Sequence, residues 1–397
     1  MKKILLFAAV CCSVIAMADD KPQLDSVVIQ DGAGNKVMKA AYTYDKKGRM
    51  DEVIGYFMIN GKWEYVTKTK YAYDASNDTT SIIYSNWKTD KNDWQVSSMV
   101  EYTWKSKGVK TVETESYWDS NKSQMVNRTR KNWVYNSANQ CTQYSLERWK
   151  EDENKWQPSY RETYTWTSTG KIDIVVKEDY YSSIGWKYTN KEDYDYNGAG
   201  QVEYKAIYEV ENDKWKEKYL YEYTYENGLL KEYTYWLMDT GRPDYDKDYQ
   251  CRYTYDSKNN VLKEEYYDWD ESGEGSWKKY LEYEYTYTSS GDHDIVTEIR
   301  REWKNDGVEE TKQEVTYDAM SGVMLLDKHS KYNPSSKKWE TAYSYVYYYK
   351  GIEPLGIVKV NGEGLKVNGE GRKFFRDGQV LIERNGVLYD ARGARIE

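Results

Sequence analysis

The stretch YTYDKKG, residues 42–48, sets the pattern for most of the chain. Two tyrosines alternate with a threonine, which is typical of a β-strand with one aromatic face, and a polar turn-like sequence ending in glycine follows. Close variants of this phrase recur along the sequence. They are YAYDASN at 71–77, YTWKSKG at 102–108, WVYNSAN at 133–139, YTWTSTG at 164–170, YDYNGAG at 194–200, YTYDSKN at 253–259 and YTYTSSG at 285–291.

The residue after the second aromatic of each phrase serves as an anchor for measuring the period. Successive anchors lie 29 to 32 residues apart over more than three hundred residues. A fixed period of this size indicates a repeat architecture. The anchors are Asp45, Asp74, Lys105, Asn136, Thr167, Asn197, Glu226, Asp256, Thr288, Asp318 and Lys350.

Glycine or asparagine stands three residues past most anchors. Both residue types tolerate a left-handed backbone, so a type I turn followed by such a residue predicts a short hairpin corner. Glu226 reaches Gly228 one position early, and Asp318 reaches Gly322 one position late. The regular positions are Gly48, Asn77, Gly108, Asn139, Gly170, Gly200, Asn259 and Gly291.

Tryptophans mark the opposite end of each repeat. Three pairs bracket short polar segments, and the strong hairpin dipeptide Asn60-Gly61 precedes Trp63 at an equivalent place. We interpret the pairs as cross-strand contacts at the far corners. One repeat is then two strands of about ten residues joined by two corners. The pairs are Trp87 with Trp94, Trp149 with Trp156, and Trp269 with Trp277.

Eleven such repeats predict an all-β fold, an antiparallel meander of about twenty strands. An open sheet of that width would expose two edges and a wide aromatic face, so we expect it to be rolled into a large or flattened barrel. An open sheet and a β-propeller built from two repeats per blade are the alternatives.

The two ends of the chain differ from the repeats. Residues 1–18 have the pattern of a signal peptide: Lys2 and Lys3, an apolar run, and Ala16-Met17-Ala18 before Asp19, which predicts cleavage there. The repeat domain then covers 19–350. Residues 351–397 predict a small β module, because KFF, QVLIE and VLYD are separated by Asp377-Gly378 and Asn385-Gly386.

Composition narrows the function classes. The net charge is −9, or −11 without Lys2 and Lys3, which does not favour binding to nucleic acid. With 44 tyrosines and 16 tryptophans, the core must consist largely of aromatic rings. Cys141 and Cys251 favour two free or buried thiols, although a disulfide stays open in an oxidising compartment.

The sequence contains no motif that predicts catalysis. His293 and His329 have no second ligand at metal-binding spacing, and no nucleophile elbow or phosphate loop is present, so no catalytic, cofactor or metal residues are assigned. His293 between Asp292 and Asp294 fits a polar hairpin loop better than a general base. A glycosidase carboxylate pair stays open, because it is defined in space and not by sequence.

The phrase YTYDKKGRMDEV, residues 42–53, resembles the YD repeat of bacterial Rhs-type proteins through Tyr44, Asp45, Gly48 and Arg49. Later units lose the arginine and the step is longer. The region from 40 to 350 is similar to Tyr-rich repeat proteins of unknown function secreted by Bacteroidales, some of them porin-like.

That resemblance implies a soluble rolled sheet and an exported or cell-envelope location. The C-terminal stretch RDGQVLIERNGVLYDARGARIE is similar to short export segments of the same bacteria, some tied to type IX secretion. It implies no functional residues.

Three functions follow as hypotheses. The preferred one is a non-catalytic exported repeat protein, located extracellularly, at the cell surface or in the periplasm, that acts as a scaffold or as a binding module for a glycan or protein. The alternative is a glycan-binding or glycan-processing protein that stacks sugars on the six paired tryptophans. An outer-membrane pore is the third, but tyrosine, threonine, glutamate and lysine along whole strands argue against membrane insertion.

Overall fold

The computed structural model describes residues 22–238, 245–272, 275–305 and 307–352, and the backbone of three short strands at 372–376, 379–384 and 387–390. The predicted signal peptide, with Ala16, Ala18 and Asp19, lies outside the described residues. Secondary structure in the described residues consists of β-strands joined by turns.

Twenty-two strands follow one another along the chain, two per repeat. They are β1 (Leu24–Asp31), β2 (Lys36–Tyr44), β3 (Met50–Ile59), β4 (Lys62–Tyr73), β5 (Thr79–Lys88), β6 (Asp93–Ser106), β7 (Val109–Asp119), β8 (Gln124–Tyr135), β9 (Cys141–Lys150), β10 (Lys155–Trp166), β11 (Ile172–Tyr181), β12 (Gly185–Tyr196), β13 (Val202–Glu211), β14 (Lys214–Glu226), β15 (Leu229–Met238), β16 (Tyr245–Tyr255), β17 (Val261–Asp270), β18 (Ser276–Ser290), β19 (His293–Lys304), β20 (Gly307–Asp318), β21 (Met324–Asn333) and β22 (Lys338–Tyr349).

These strands form one closed ring. Each strand pairs antiparallel with the next along the chain, and the last, β22, pairs with the first, β1, from Leu24 opposite Tyr349 to Asp31 opposite Tyr343. Closure leaves no unpaired edge in the ring. The predicted all-β antiparallel meander is confirmed as a closed barrel, and the open sheet and the propeller are excluded.

The anchor residue builds the hairpin corner that the sequence predicts. The Asp45 amide donates to the Arg49 carbonyl at 2.8 Å, and the Gly48 amide donates back to the Asp45 carbonyl at 3.0 Å. The Asp45 carboxylate also accepts the amides of Lys47 and Arg49, at 2.8 and 3.0 Å. Gly48 has a φ of 78°, the left-handed conformation that restricts this position to glycine or asparagine.

Four corners differ from the regular pattern. The strands that contain Lys105 and Glu226 continue to Ser106 and Glu226, and two-residue turns at 107–108 and 227–228 join them to the next strands. Thr288 lies inside β18, which continues to Ser290, and the chain turns at Gly291 and Asp292 instead. The corner after Asp318 holds one extra residue, as the late glycine predicts, since the Gly322 amide donates to the Asp318 carbonyl at 2.8 Å.

A β-bulge interrupts nearly every hairpin on its even-numbered strand. In β10, Pro158 faces Glu147 and Tyr160 faces Leu146, so Ser159 is an extra residue. Because side chains alternate along a strand, one extra residue exchanges the two faces for the rest of that strand. The ten extra residues are Val37, Val66, Ser97, Arg128, Ser159, Thr189, Lys218, Asp248, Tyr280 and Ala342.

A ladder of ring hydrogen bonds ties successive strands together. The second aromatic of a phrase, at the end of an even-numbered strand, donates to the main-chain carbonyl near the start of the preceding strand. Nine bonds of 2.6 to 2.9 Å follow this rule: Tyr44 to Leu24, Tyr73 to Met50, Trp104 to Thr79, Tyr135 to Lys110, Trp166 to Cys141, Tyr196 to Ile172, Tyr225 to Val202, Tyr255 to Leu230 and Tyr287 to Val261.

The most deeply buried aliphatic side chains cluster where the ring closes. Leu24, Val27, Val53, Leu325 and Val346 are each at most 2% exposed. They belong to β1, β3, β21 and β22, so the first and last strands share the best-packed part of the wall. Elsewhere most wall side chains are half-buried.

The chain divides into two compact units, Met1–Pro354 and Leu355–Glu397. The described part of the second unit is a small antiparallel sheet of β23 (Arg372–Arg376), β24 (Gln379–Arg384) and β25 (Val387–Asp390). These strands contain the KFF, QVLIE and VLYD segments, so the predicted small β module is confirmed. The exact limits of the predicted domains stay predictions.

Candidate functional site

The bulges separate the aromatic residues onto two faces of the wall. In β14, Trp215 and Tyr219 have the same parity, but the extra residue Lys218 places them on opposite faces. We call the side that carries Tyr219, Tyr221 and Tyr223 the tyrosine face. The opposite side is the tryptophan face, because it carries all six paired tryptophans.

Each tryptophan pair lies where the sequence predicts, directly opposite across a hairpin. The ring centroids are 5.1 Å apart for Trp87 and Trp94, 5.1 Å for Trp149 and Trp156, and 4.9 Å for Trp269 and Trp277, all edge to face. All six indoles are half-buried.

A cation lies over one ring of each pair. Lys68 is 4.9 Å from the centroid of Trp94, the Arg130 guanidinium is 4.8 Å from that of Trp156, and Lys247 is 4.6 Å from that of Trp269. These contacts are in the range of cation–π interactions. The rings are therefore used in holding the wall together, and only their remaining surface is open to a ligand.

Ion pairs cross the middle of the tryptophan face. Arg161 bonds Glu178 at 2.8 Å, and Arg301 bonds Glu282 at 2.8 Å and Glu284 at 2.7 Å. Glu178 and Glu282 are each only 5% exposed. Burial alone would raise the pKa of Glu282, but the bonds from Lys279 and Arg301 hold it below its ordinary value.

The tyrosine face carries a different polar network. Tyr266 donates to the Glu264 carboxylate at 2.9 Å, and Tyr285 contacts the same carboxylate at 3.3 Å. Tyr285 also bonds Glu298, two strands from Glu264. Burial, with the nearby charge of Glu264, raises the pKa of the Glu298 carboxyl. Two carboxyl groups joined through one phenol are the arrangement here that comes nearest to an acid–base pair.

The two histidines lie in different surroundings. His329, on the tyrosine face, contacts Asp327 at 3.0 Å and stacks on Tyr343 with centroids 4.5 Å apart. His293 is the first residue of β19, beside the hairpin turn, in agreement with its interpretation as part of a polar corner. In the described part of the chain, no group of three metal-ligating residues comes together.

Cys141 and Cys251 are free thiols. Cys251 is completely buried on the tyrosine face, where burial raises the pKa of its thiol to about 11. Burial likewise raises the pKa of Cys141. A high thiol pKa does not favour a reactive thiolate.

A cleft opens on the tryptophan face over β14, β15, β16 and β18, with a volume of about 220 Å³. Its floor is polar, and two indoles line it. The lining residues are Glu222, Thr224, Glu232, Thr234, Trp236, Lys247, Gln250 and Trp277. Of the six tryptophans that the sequence predicts for ligand stacking, Trp277 lines this cleft, and Trp269 contacts its lysine.

The sequence alone does not predict the cleft. Trp236 belongs to none of the three tryptophan pairs, and Gln250 and the two threonines carry no motif. They come together because Thr234 faces Gln250 across β15 and β16, and the bulge at Asp248 brings Lys247 opposite Trp236. Only the register of β15 against β16 shows that these residues are neighbours.

Comparisons with known proteins identify no family for the chain. No family model matches it, and no curated protein does. Among solved structures, a protein of unknown function from Bacteroides fragilis shares 18% identity over 33% of this chain and 94% of that one, with a TM-score of 0.28.

Two further structures overlap with more of this chain. A porin-like protein from Bacteroides uniformis is 10% identical over 66% of this chain and 96% of its own, with a TM-score of 0.22. The TcdB2-TccC3-TEV structure is 10% identical over 96% of this chain and 24% of its own, with a TM-score of 0.23. Among the described residues, no helix is long and apolar enough to cross a membrane.

Proposed function

We propose that this protein is a non-catalytic exported repeat protein that acts as a scaffold or binding module outside the cytoplasm, in the envelope or beyond it. The observation that carries the proposal is the uniformity of the ring. Six of the phrases build the same corner and nine make the same ring-to-carbonyl bond, so the repeated features of the sequence serve the wall itself.

The polarity of both faces supports a wall bathed in water. The tryptophan face carries Arg161 with Glu178 at mid-strand, and the tyrosine face carries Lys131 with Glu113 at 2.6 Å. A wall facing lipid needs an apolar band on its outer side. Because either face would bring ion pairs into that band, the pore hypothesis is disfavoured.

The first test concerns solubility and location. Residues 19–397, produced without the predicted signal peptide, are expected to purify without detergent as a single species with a β-type circular dichroism spectrum. In the native bacterium, the full chain is expected outside the cytoplasm after cell fractionation. A chain that needs detergent, or that stays in the cytoplasm, contradicts the proposal.

The second test concerns catalysis, and the Glu264–Tyr285–Glu298 network defines it. The purified chain is screened against chromogenic glycosides and esters, together with Glu298→Gln and the exposed control Glu226→Gln. We expect equal, background-level turnover in all three. Robust turnover that Glu298→Gln alone abolishes would overturn the non-catalytic assignment and favour glycan processing.

Glycan binding is the second candidate function. The observation that favours it is the set of half-buried indoles on a rigid sheet, since the open part of such a ring stacks well on the apolar face of a sugar. Glycan binding of this kind would use the surface of the same closed barrel and would need no catalytic group.

A further inference from the structure

The cleft on the tryptophan face contains polar groups that the fold leaves unsatisfied. The side-chain oxygen Oε1 of Gln250 and the indole Nε1 of Trp236 are buried, and neither has a hydrogen-bond partner among the described residues. Gln250 as a whole is only 5% exposed. Buried polar atoms are nearly always paired, so an unpaired acceptor and an unpaired donor beside one cleft point to a partner from outside the chain.

The amide of Gln250 is held in a fixed orientation. Its Nε2 donates to the Thr234 hydroxyl at 3.1 Å, and this bond directs which end of the amide stays unpaired. The cleft therefore offers an acceptor whose position does not change when a ligand arrives. Such preorganised polar groups provide specificity in small-molecule sites.

Two indoles flank a cation in the cleft. The Lys247 ammonium lies 5.8 Å from the ring centroid of Trp236 and 5.9 Å from that of Trp277. The Lys247 side chain therefore lies between two flat indole rings, and its ammonium group can donate hydrogen bonds to a ligand in the cleft. Together the residues supply stacking surfaces, ammonium and indole donors, and amide, hydroxyl and carboxylate acceptors.

We infer that this cleft is a subsite for a neutral sugar ring of an oligosaccharide. A pyranose has an apolar face that fits an indole. Its hydroxyls can both donate and accept hydrogen bonds, which matches the mixed donors and acceptors of the cleft. The volume of about 220 Å³ is below the ~300–1,000 Å³ of drug-sized sites, which suits a single unit of a longer chain.

The charges that line the cleft disfavour both anionic and cationic ligands. Glu222 and Glu232 line the cleft and disfavour an acidic sugar or a phosphate, although Arg252 bonds Glu232 at 2.9 Å. Lys247, which also lines the cleft, disfavours a cationic peptide side chain. A neutral, hydroxyl-rich ligand is the class that meets neither repulsion.

This inference rests on the proposed function as a binding module and deepens it. It is tested with the purified chain by isothermal titration with cellohexaose, mannohexaose and fully N-acetylated chitohexaose, and with hexagalacturonate as the acidic counterpart. We expect binding of at least one neutral hexasaccharide and none of hexagalacturonate.

Matched variants locate the site. Gln250→Met removes the unpaired oxygen, and Trp277→Ala removes a stacking surface, so each is expected to weaken binding about tenfold or more. Gln30→Met removes another buried, unpaired amide oxygen far along the ring, and Trp133→Ala removes an indole that packs on Tyr144, away from the cleft and outside the six paired tryptophans. Both controls are expected to bind as the parent chain does.

Each result decides the matter. Binding lost in the cleft variants and kept in the controls supports the subsite. Neutral-sugar binding that survives Gln250→Met and Trp277→Ala, or a preference for hexagalacturonate, overturns it and leaves the binding-module proposal in place. Silence towards all three neutral hexasaccharides overturns the subsite as well, whereas the proposed function fails only through the solubility, location or turnover tests. Unchanged circular dichroism confirms that each variant is folded.

Discussion

At the scale of the residue, the ring-to-carbonyl bond explains why an aromatic with a polar tip ends each phrase. Tyr135 donates to the Lys110 carbonyl at 2.8 Å, and Trp166 donates to the Cys141 carbonyl at 2.9 Å through its indole nitrogen. Phenylalanine could supply the ring but not the donor. The near absence of phenylalanine, with only 4 in the chain, fits this requirement.

Removal of one such donor gives the first prediction. Tyr135→Phe leaves the half-buried Lys110 carbonyl without its ring partner, so we expect a loss of about 1 kcal/mol in the free energy of unfolding, measured by urea denaturation. Tyr181→Phe, at a ring that is 46% exposed, is the control and is expected to change little. Equal effects of the two substitutions would contradict the role of the bond.

The left-handed corner residue gives the second prediction. Asn139 has a φ of 59°, where a β-branched residue is strained. Asn139→Val is expected to cost about 1–2 kcal/mol of unfolding free energy, whereas Asn139→Gly is expected to be nearly neutral. Ala138→Val, one residue earlier in the same turn, is the control. If the two valine substitutions cost the same, backbone conformation is not what selects asparagine here.

At the scale of the element, the hairpins were predictable and the bulges were not. Gly48 and Asn139 reveal their corners because few residue types adopt a left-handed backbone. The extra residues of the bulges include Val66, Arg128 and Ser159, which share no chemistry, so no sequence signal marks them. For this reason the sequence does not predict that tyrosines and tryptophans lie on opposite faces, and it does not predict the cleft.

Deletion of one bulge gives the third prediction. Without Ser159, Pro158 and Tyr160 become adjacent and face Glu147 and Leu146 as ordinary alternating positions, so Trp156 stays opposite Trp149 on the tryptophan face. We therefore expect ΔSer159 to keep the exciton signal of this pair in the circular dichroism spectrum and to lose only the local bend and twist of the bulge, measured as a lower free energy of unfolding.

The substitution Ser159→Ala is the control for that deletion. It removes only the exposed hydroxyl that accepts from Arg148 at 3.2 Å, and it keeps the extra residue. We expect it to fold with an unchanged tryptophan signal. A deletion variant that loses the native signal would show that the extra residue is needed to keep the two tryptophans opposite each other.

At the scale of the whole molecule, the strand number followed from the period, but closure required the register of β1 against β22. The pairing of Val28 with Val346 links residues more than three hundred positions apart, and no local pattern specifies it. Among the described residues, most of the buried aliphatic side chains lie near this seam, with Val126 and Val175 as the exceptions farther round the ring. The stability of the closed wall therefore depends on tyrosines spread around the ring, and it should respond to pH as a whole.

Alkaline pH gives the last prediction. Burial raises the pKa of Tyr223 and of Tyr345 from 10.0 to about 12, so the folded state favours the neutral phenol. The stability that this provides is complete below pH 10, the unfolded value, and is lost as the pH rises towards about 12. We expect unfolding in this window, with phenolate absorbance and loss of β-type circular dichroism appearing together.

Single substitutions test whether the buried phenols cause that transition. Tyr223→Phe removes one of them, so between pH 8 and about pH 11 this variant is expected to lose less stability than the parent chain. Tyr181→Phe, with its exposed ring, should follow the parent chain. If phenolate forms without unfolding, or if both variants respond as the parent does, the tyrosine face is open to water and does not hold the ring together.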